Sequence, residues 1–159
     1  VLAVVKMRKQ ETIQKKLAVI LVLDDINDPG NLGTIIRMCD WFGVKQIVCS
    51  ENTVDIYNPK VVQATMGSLF RVNVLYVNLV KYLGTVNTPI YGSYMKGENI
   101  RNINSERNSH LVMGNEANGI SPEVSKFITD KVAIKNIGGT TESLNVAVAT
   151  SILLHEFCN

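Results

Sequence analysis

The chain is 159 residues long, 46% hydrophobic and 19% charged, a composition apolar enough for one packed core and incompatible with disorder. That length predicts a single main domain, and no run approaches the roughly 18 uninterrupted apolar residues that cross a bilayer, so no membrane partner is expected. A formal net charge of +2 names no partner, while three cysteines without a pairing pattern and the lack of an apolar N-terminal signal block predict a reducing, cytoplasmic setting.

Residues 1–16 carry Lys6, Arg8, Lys9, Lys15 and Lys16 against Glu11, a net +4, so the remainder sums to −2. This basic segment reads either as a solvated surface helix or as an end that touches phosphates. It stands apart from a domain expected over residues 17–159. The run 17–23 (LAVILVL) is too continuous for a half-exposed strand and too short for a lone buried helix, which predicts a central parallel strand. Turn signals at Asn27, Asp28, Pro29 and Gly30 precede a helix over 32–42, where Leu32, Ile35, Ile36, Cys39 and Phe42 recur at helical spacing. Further strands are expected over 46–49, 71–77, 88–91, 110–113 and 131–137, with helical or loop stretches over 59–66, 78–84 and 122–127. The terminal segment 143–157 (SLNVAVATSILLHEF) predicts a helix buried on more than one side. Such alternation gives an α/β fold, a mostly parallel sheet flanked by helices.

The usual glycine signatures are missing. Neither G-x-G-x-x-G nor G-x-x-x-x-G-K-[ST] occurs, which argues against a Rossmann dinucleotide or methyltransferase site and against a phosphate loop. With only His110 and His155, and no C-x-x-C or H-x-x-x-H spacing, no metal is expected, and both histidines read as structural. No nucleophile signature for acyl chemistry is visible.

Polar residues instead concentrate in three loops, each after a predicted strand, where ligands of open α/β sheets collect. The first runs from Asp24 to Gly33 and leads into the helix carrying Arg37. On a helical wheel Leu32, Ile36 and Cys39 point one way, whereas Gly33, Arg37 and Trp41 fall on the far side. Arg37 there suits a phosphate or carboxylate, or a plain surface ion pair. Asp24 and Asp25 read as turn formers rather than paired catalytic carboxylates, because adjacent strand-end residues point to opposite faces. In the second loop, Gly114, Asn115, Glu116 and Gly119 leave backbone groups open to a bound molecule. The same stretch also reads as a turn into a helix capped by Ser121, with Pro122 first and Glu123 in its opening turn. The third loop, Ile134 through Ile137 to Asn145, opens the terminal helix with Ser143 or Thr141 as the expected cap. Asn145, a poor helix former, needs a partner for its amide there.

In order, the motifs N-x-G-x-x-x-R (Asn31, Gly33, Arg37), G-x-E-x-x-G-I-S (Gly114, Glu116, Gly119, Ile120, Ser121) and E-S-L-N-V-A-V-A (Glu142 to Ala149) resemble the SpoU, or TrmH-type, branch of the SPOUT RNA methyltransferases. The resemblance covers residues 17–159. It implies an S-adenosylmethionine-dependent methyltransferase acting on a ribose 2′-hydroxyl of tRNA or ribosomal RNA, a homodimer, and a C-terminal trefoil knot. It implies catalytic roles for Arg37, Asn31, Glu116 and Asn145, and a cofactor site from Gly114, Asn115, Gly119, Ile134, Ile137, Ser143, Leu144 and Asn145. Two departures stand out: Lys135 replaces the usual proline, and the loop before Ser143 is about one residue longer. The opening residues 1–5 resemble the junction after an RNA-binding domain in longer members, which implies that the chain is the catalytic half of such a protein. The competing classes are a non-catalytic RNA-binding module of the same fold and a base methyltransferase of the same superfamily. Trp41 is expected in the dimer contact, with base stacking as the alternative.

Overall fold

A computed structural model describes residues 19–103 and 108–158. The basic segment 1–16 and the first two residues of the expected first strand lie outside the described residues.

The strands are β1 (Val19–Asp24), an apolar run, β2 (Gln46–Ser50), β3 (Asn73–Val77), β4 (Ile90–Asn99), β5 (Ser109–Gly114) and β6 (Asp130–Ala133). They form one six-stranded sheet in the order β3-β2-β1-β5-β4-β6, and every pairing is parallel. The helices are α1 (Pro29–Trp41), α2 (Pro59–Thr65), α3 (Leu79–Leu83), α4 (Pro122–Ser125) and α5 (Val146–Cys158). Successive residues of β1 point to opposite faces. Leu21 and Leu23 pack with Leu32, Ile35 and Ile36 of α1 and Leu153 and Leu154 of α5. Ile20 and Val22 pack with Leu79 and Leu83 of α3 and Val124 of α4. Burying each such leucine or isoleucine contributes about 1.5–3 kcal/mol. A continuous apolar β1 is thus explained by helices on both faces.

Several boundaries differ from the sequence expectations, each for a local reason. Helix α1 starts at Pro29 rather than Leu32, because Asp28 caps it, accepting from the Asn31 amide at 2.7 Å. Gly33 does not face solvent: a Cβ there would lie 2.4 Å from the Ala64 Cβ, so the missing side chain lets α1 and α2 touch. Strand β3 begins at Asn73, since the Arg71 and Val72 amides are held in the preceding turn by the Ser68 carbonyl at 2.9 and 3.1 Å. Strand β4 continues to Asn99 instead of stopping at Tyr91, with a bulge: Ser93 and Glu98 both oppose Val132. Strand β6 stops at Ala133, and Asn136 turns the chain by accepting from the Gly138 and Gly139 amides, each at 2.9 Å. Helix α4 is a single turn, and the Ser121 hydroxyl makes no capping bond. Helix α5 begins at Val146, capped by Asn145 rather than by Ser143 or Thr141. It buries Val146, Ala147, Thr150, Leu153, Leu154 and Phe157, while Val148 and Ile152 stay exposed, so one apolar stripe faces outward.

Candidate active site

Because all strands are parallel, the loops after β1, β5 and β6 open at one edge of the sheet. Strands β1 and β5 are neighbours, with Asp24 opposite Gly114 in register. The order in which strands are added reverses across this parallel pair, β2 and β3 lying on one side and β4 and β6 on the other, the kind of switch point where open α/β sheets hold ligands.

At the end of β1, Asp24 is buried and its carboxylate accepts from the Ser121 amide at 2.7 Å, tying the first loop to the second. Asp25 adopts a left-handed φ of 62°. Its amide donates to Ser50 Oγ at 2.8 Å and its carbonyl accepts from Asn115 Nδ2 at 2.7 Å. Both aspartates therefore shape turns, as expected. In the second loop, Asn115 and Gly119 exchange backbone hydrogen bonds at 3.0 and 2.9 Å. The turn is so tight that a Cβ on Gly114 would sit 2.2 Å from the Gly119 carbonyl carbon and the Ile120 nitrogen. Gly119 itself has a φ of 70°, a region favouring glycine. The groups of Asn115 are engaged within this loop or on Asp25. Its Oδ1 accepts from the Ala117 and Asn118 amides at 2.9 and 3.0 Å.

The three loops meet at Asn31. Its Nδ2 donates to Glu116 Oε1 at 2.9 Å, and its Oδ1 accepts from Asn145 Nδ2 at 2.9 Å. Residues 85 and 114 positions apart in sequence are thereby joined through one amide. The direction of these bonds is fixed at both ends. Asn145 Oδ1 accepts from the Ala147 and Val148 amides at 2.9 and 3.3 Å, so its nitrogen must face Asn31. An ionised glutamate can only accept, so Asn31 must present its nitrogen to Glu116. The partner that the Asn145 amide needed is Asn31, and its oxygen is the α5 cap.

Arg37 is exposed on α1, and among the described residues its guanidinium makes no hydrogen bond or ion pair. Hydrogen bonds join Asn31, Glu116 and Asn145, whereas among the described residues none reaches Arg37, further along the same helix as Asn31. Among the cofactor candidates, Ile134 is half-buried, Ile137 is 90% exposed and Leu144 49% exposed. Ser143 is exposed. Ile137 and Leu144 are thus large apolar side chains left in water on one glycine-containing loop. Asn136, which the sequence reading passed over, organises that loop: besides its two accepted bonds, its Nδ2 donates to the Gly139 and Thr141 carbonyls at 3.0 and 3.4 Å. The pattern Asn-x-Gly-Gly could have signalled it.

The sequence matches the SpoU rRNA methylase family over residues 18–155. The chain belongs to this family. It is 34% identical over 149 residues to the 23S rRNA (guanosine(2553)-2′-O)-methyltransferase RlmP of Bacillus subtilis, covering 89% of this chain and 60% of that protein. A solved TrmH-family protein from Porphyromonas gingivalis superposes with a TM-score of 0.85 at 40% identity, covering 92% of this chain and 61% of that one. An AdoMet-bound rRNA methyltransferase from Sinorhizobium meliloti gives 0.82 at 32% identity, covering 91% and 56%. This SpoU chain thus spans about three-fifths of the length of the relatives it matches.

Proposed function

We propose that the chain is the catalytic domain of an S-adenosylmethionine-dependent methyltransferase that modifies a ribose 2′-hydroxyl in tRNA or ribosomal RNA. The observation that carries this reading is the junction at Asn31, where the three polar loops converge at the carboxyl edge of a SpoU-family sheet. The B. subtilis relative is named for 2′-O-methylation of a guanosine in 23S rRNA, and the S. meliloti structure holds AdoMet.

The residues fit such a cofactor. Exposed Ile137 and Leu144, with half-buried Ile134, offer apolar contact for an adenine, while Gly114 and Ser143 offer backbone and hydroxyl groups; the Gly119 amide and carbonyl are already paired with Asn115. Asn145 sits between this loop and Asn31. When bound, S-adenosylmethionine supplies a methyl group on a positively charged sulfur, already electrophilic.

What remains for the protein is to align and activate the hydroxyl. Correct alignment of reacting atoms can be worth about 7–11 kcal/mol. Asn31 and Glu116 present a fixed pair of polar groups to the ribose. Arginine stays protonated at neutral pH, so Arg37 is assigned not as a base but as the group that grips the neighbouring phosphate and stabilises developing charge on the oxygen. Water or that phosphate receives the proton.

RNA is the macromolecular partner in this reading, in a cytoplasmic setting, and the trefoil knot implied by the resemblance belongs to it. A homodimer belongs to it as well, supported by Trp41, 81% exposed on α1, and by the outward stripe of Val148 and Ile152. The test is transfer of labelled methyl from S-adenosylmethionine to total RNA, followed by digestion to nucleosides. Label on ribose supports the reading; label on a base, or RNA binding without transfer, overturns it.

A further inference from the structure

We infer that Asn115 is a positioning residue that holds Glu116 against Asn31, by clamping the end of β1 and closing the turn that carries the carboxylate. The inference rests on the assignment of Glu116 in the proposed function.

Glu116 is exposed, and its Oε1 accepts from Asn31. An exposed glutamate samples many rotamers, so a single 2.9 Å bond holds only if the backbone beneath it is fixed. Two constraints fix it. One is the close approach of Gly114 to the Gly119–Ile120 peptide. The other is Asn115, whose oxygen gathers the amides of Ala117 and Asn118 and whose nitrogen donates to the Asp25 carbonyl. That carbonyl belongs to a residue in a costly conformation: a non-glycine φ of 62° persists only when its surroundings impose it. Ser50 holds the Asp25 amide, Thr53 the following Ile26 amide at 3.3 Å, and Asn115 the carbonyl between them. Asn115 is therefore where the first loop, leading to Asn31, and the second, bearing Glu116, are set in register. The interaction is directional. A donor is required toward Asp25 and an acceptor toward the turn, and only an amide side chain of this length supplies both.

The variants Asn115→Asp and Asn115→Ser both keep an acceptor for the turn and remove the donor to Asp25. Aspartate keeps the acceptor and loses the donor; serine closes the turn but is too short to reach Asp25. With saturating S-adenosylmethionine, both are expected to lower kcat about tenfold or more while the RNA KM and the cofactor Kd by calorimetry stay within twofold. Because Asn115 acts through Glu116, Asn115→Asp should cost less than twofold in a Glu116→Gln background. A raised cofactor Kd with kcat retained would make Asn115 a cofactor ligand and overturn the inference. Multiplicative effects in the double variant, or unchanged kinetics, would also overturn it. Crystal structures of both variants give an arm independent of activity: the Asn31 to Glu116 bond is expected to be lost, and its retention refutes the proposal. If the unsubstituted protein transfers no methyl to RNA, the proposed function falls while this structural arm still decides the role of Asn115.

Discussion

Asn145 donates its amide to Asn31 across 2.9 Å while its own oxygen caps α5, so one side chain both starts the terminal helix and closes the candidate site. Asn145→Asp separates these duties. Aspartate caps a helix as well as asparagine and is favoured near its N-terminus, so the start of α5 should hold. The donor to Asn31 is lost, and a carboxylate oxygen then faces the Asn31 carbonyl. Losing such a bond costs about 1–2 kcal/mol, and steady-state kinetics should show kcat down by roughly tenfold.

Gly114→Ala tests the tightness of the second loop. The added methyl would collide with the Gly119–Ile120 peptide, backbone that cannot swing aside as a flexible side chain would. Denaturant titration should show a loss of about 1–3 kcal/mol, together with loss of methyl transfer.

How much of this was legible in the sequence divides along one physical line. Elements set by local pattern came through: the apolar run ending at Leu23 is a central strand because α1 and α5 cover one face and α3 and α4 the other, and a helix does follow the Asn-Asp-Pro-Gly turn signal, although its first turn already takes in Pro29 and Gly30. What depended on partners distant in sequence did not. Gly33 looked solvent-facing until α2 was placed against it, and the α5 start was misplaced because Asn145 was read as a helix interior residue. The three loops were visible as separate polar stretches, but nothing in their sequence shows that Asn31 would be the atom-level junction between them. The roles of Ser50, Thr53 and Asn115 around Asp25 were missed for the same reason, since only tertiary contact reveals them.

His110 supplies a pH dependence. Its Nε2 meets the Tyr82 hydroxyl at 2.7 Å and its Nδ1 the Thr88 hydroxyl at 3.0 Å. Burial lowers its pKa from the ordinary 6.5 to about 4. The unfolded chain therefore binds a proton below about pH 6.5 that the folded chain refuses until about pH 4. Stability from this group is complete above pH 6.5 and is lost as the pH falls toward 4, a contribution of about 3 kcal/mol. Calorimetric scans from pH 7 to pH 4 should show this decline, and His110→Gln should flatten it whatever its own midpoint.

Arg37→Lys tests the role proposed for the exposed guanidinium of α1. Lysine keeps the charge and removes the planar fork that grips two phosphate oxygens at once. We expect kcat with RNA to fall by at least about tenfold, equivalent to about 1.4 kcal/mol, with cofactor affinity unchanged. Near-full turnover would show that fork geometry is irrelevant.

The central claim, that three separated loops clasp one methyl donor beside α5, is tested most directly by crystals soaked with S-adenosylmethionine or its demethylated product. The account predicts density enclosed by Ile134, Ile137 and Leu144 on one side and the Gly114–Gly119 turn on the other. No density between those loops, or the ligand bound elsewhere on the protein, would contradict it.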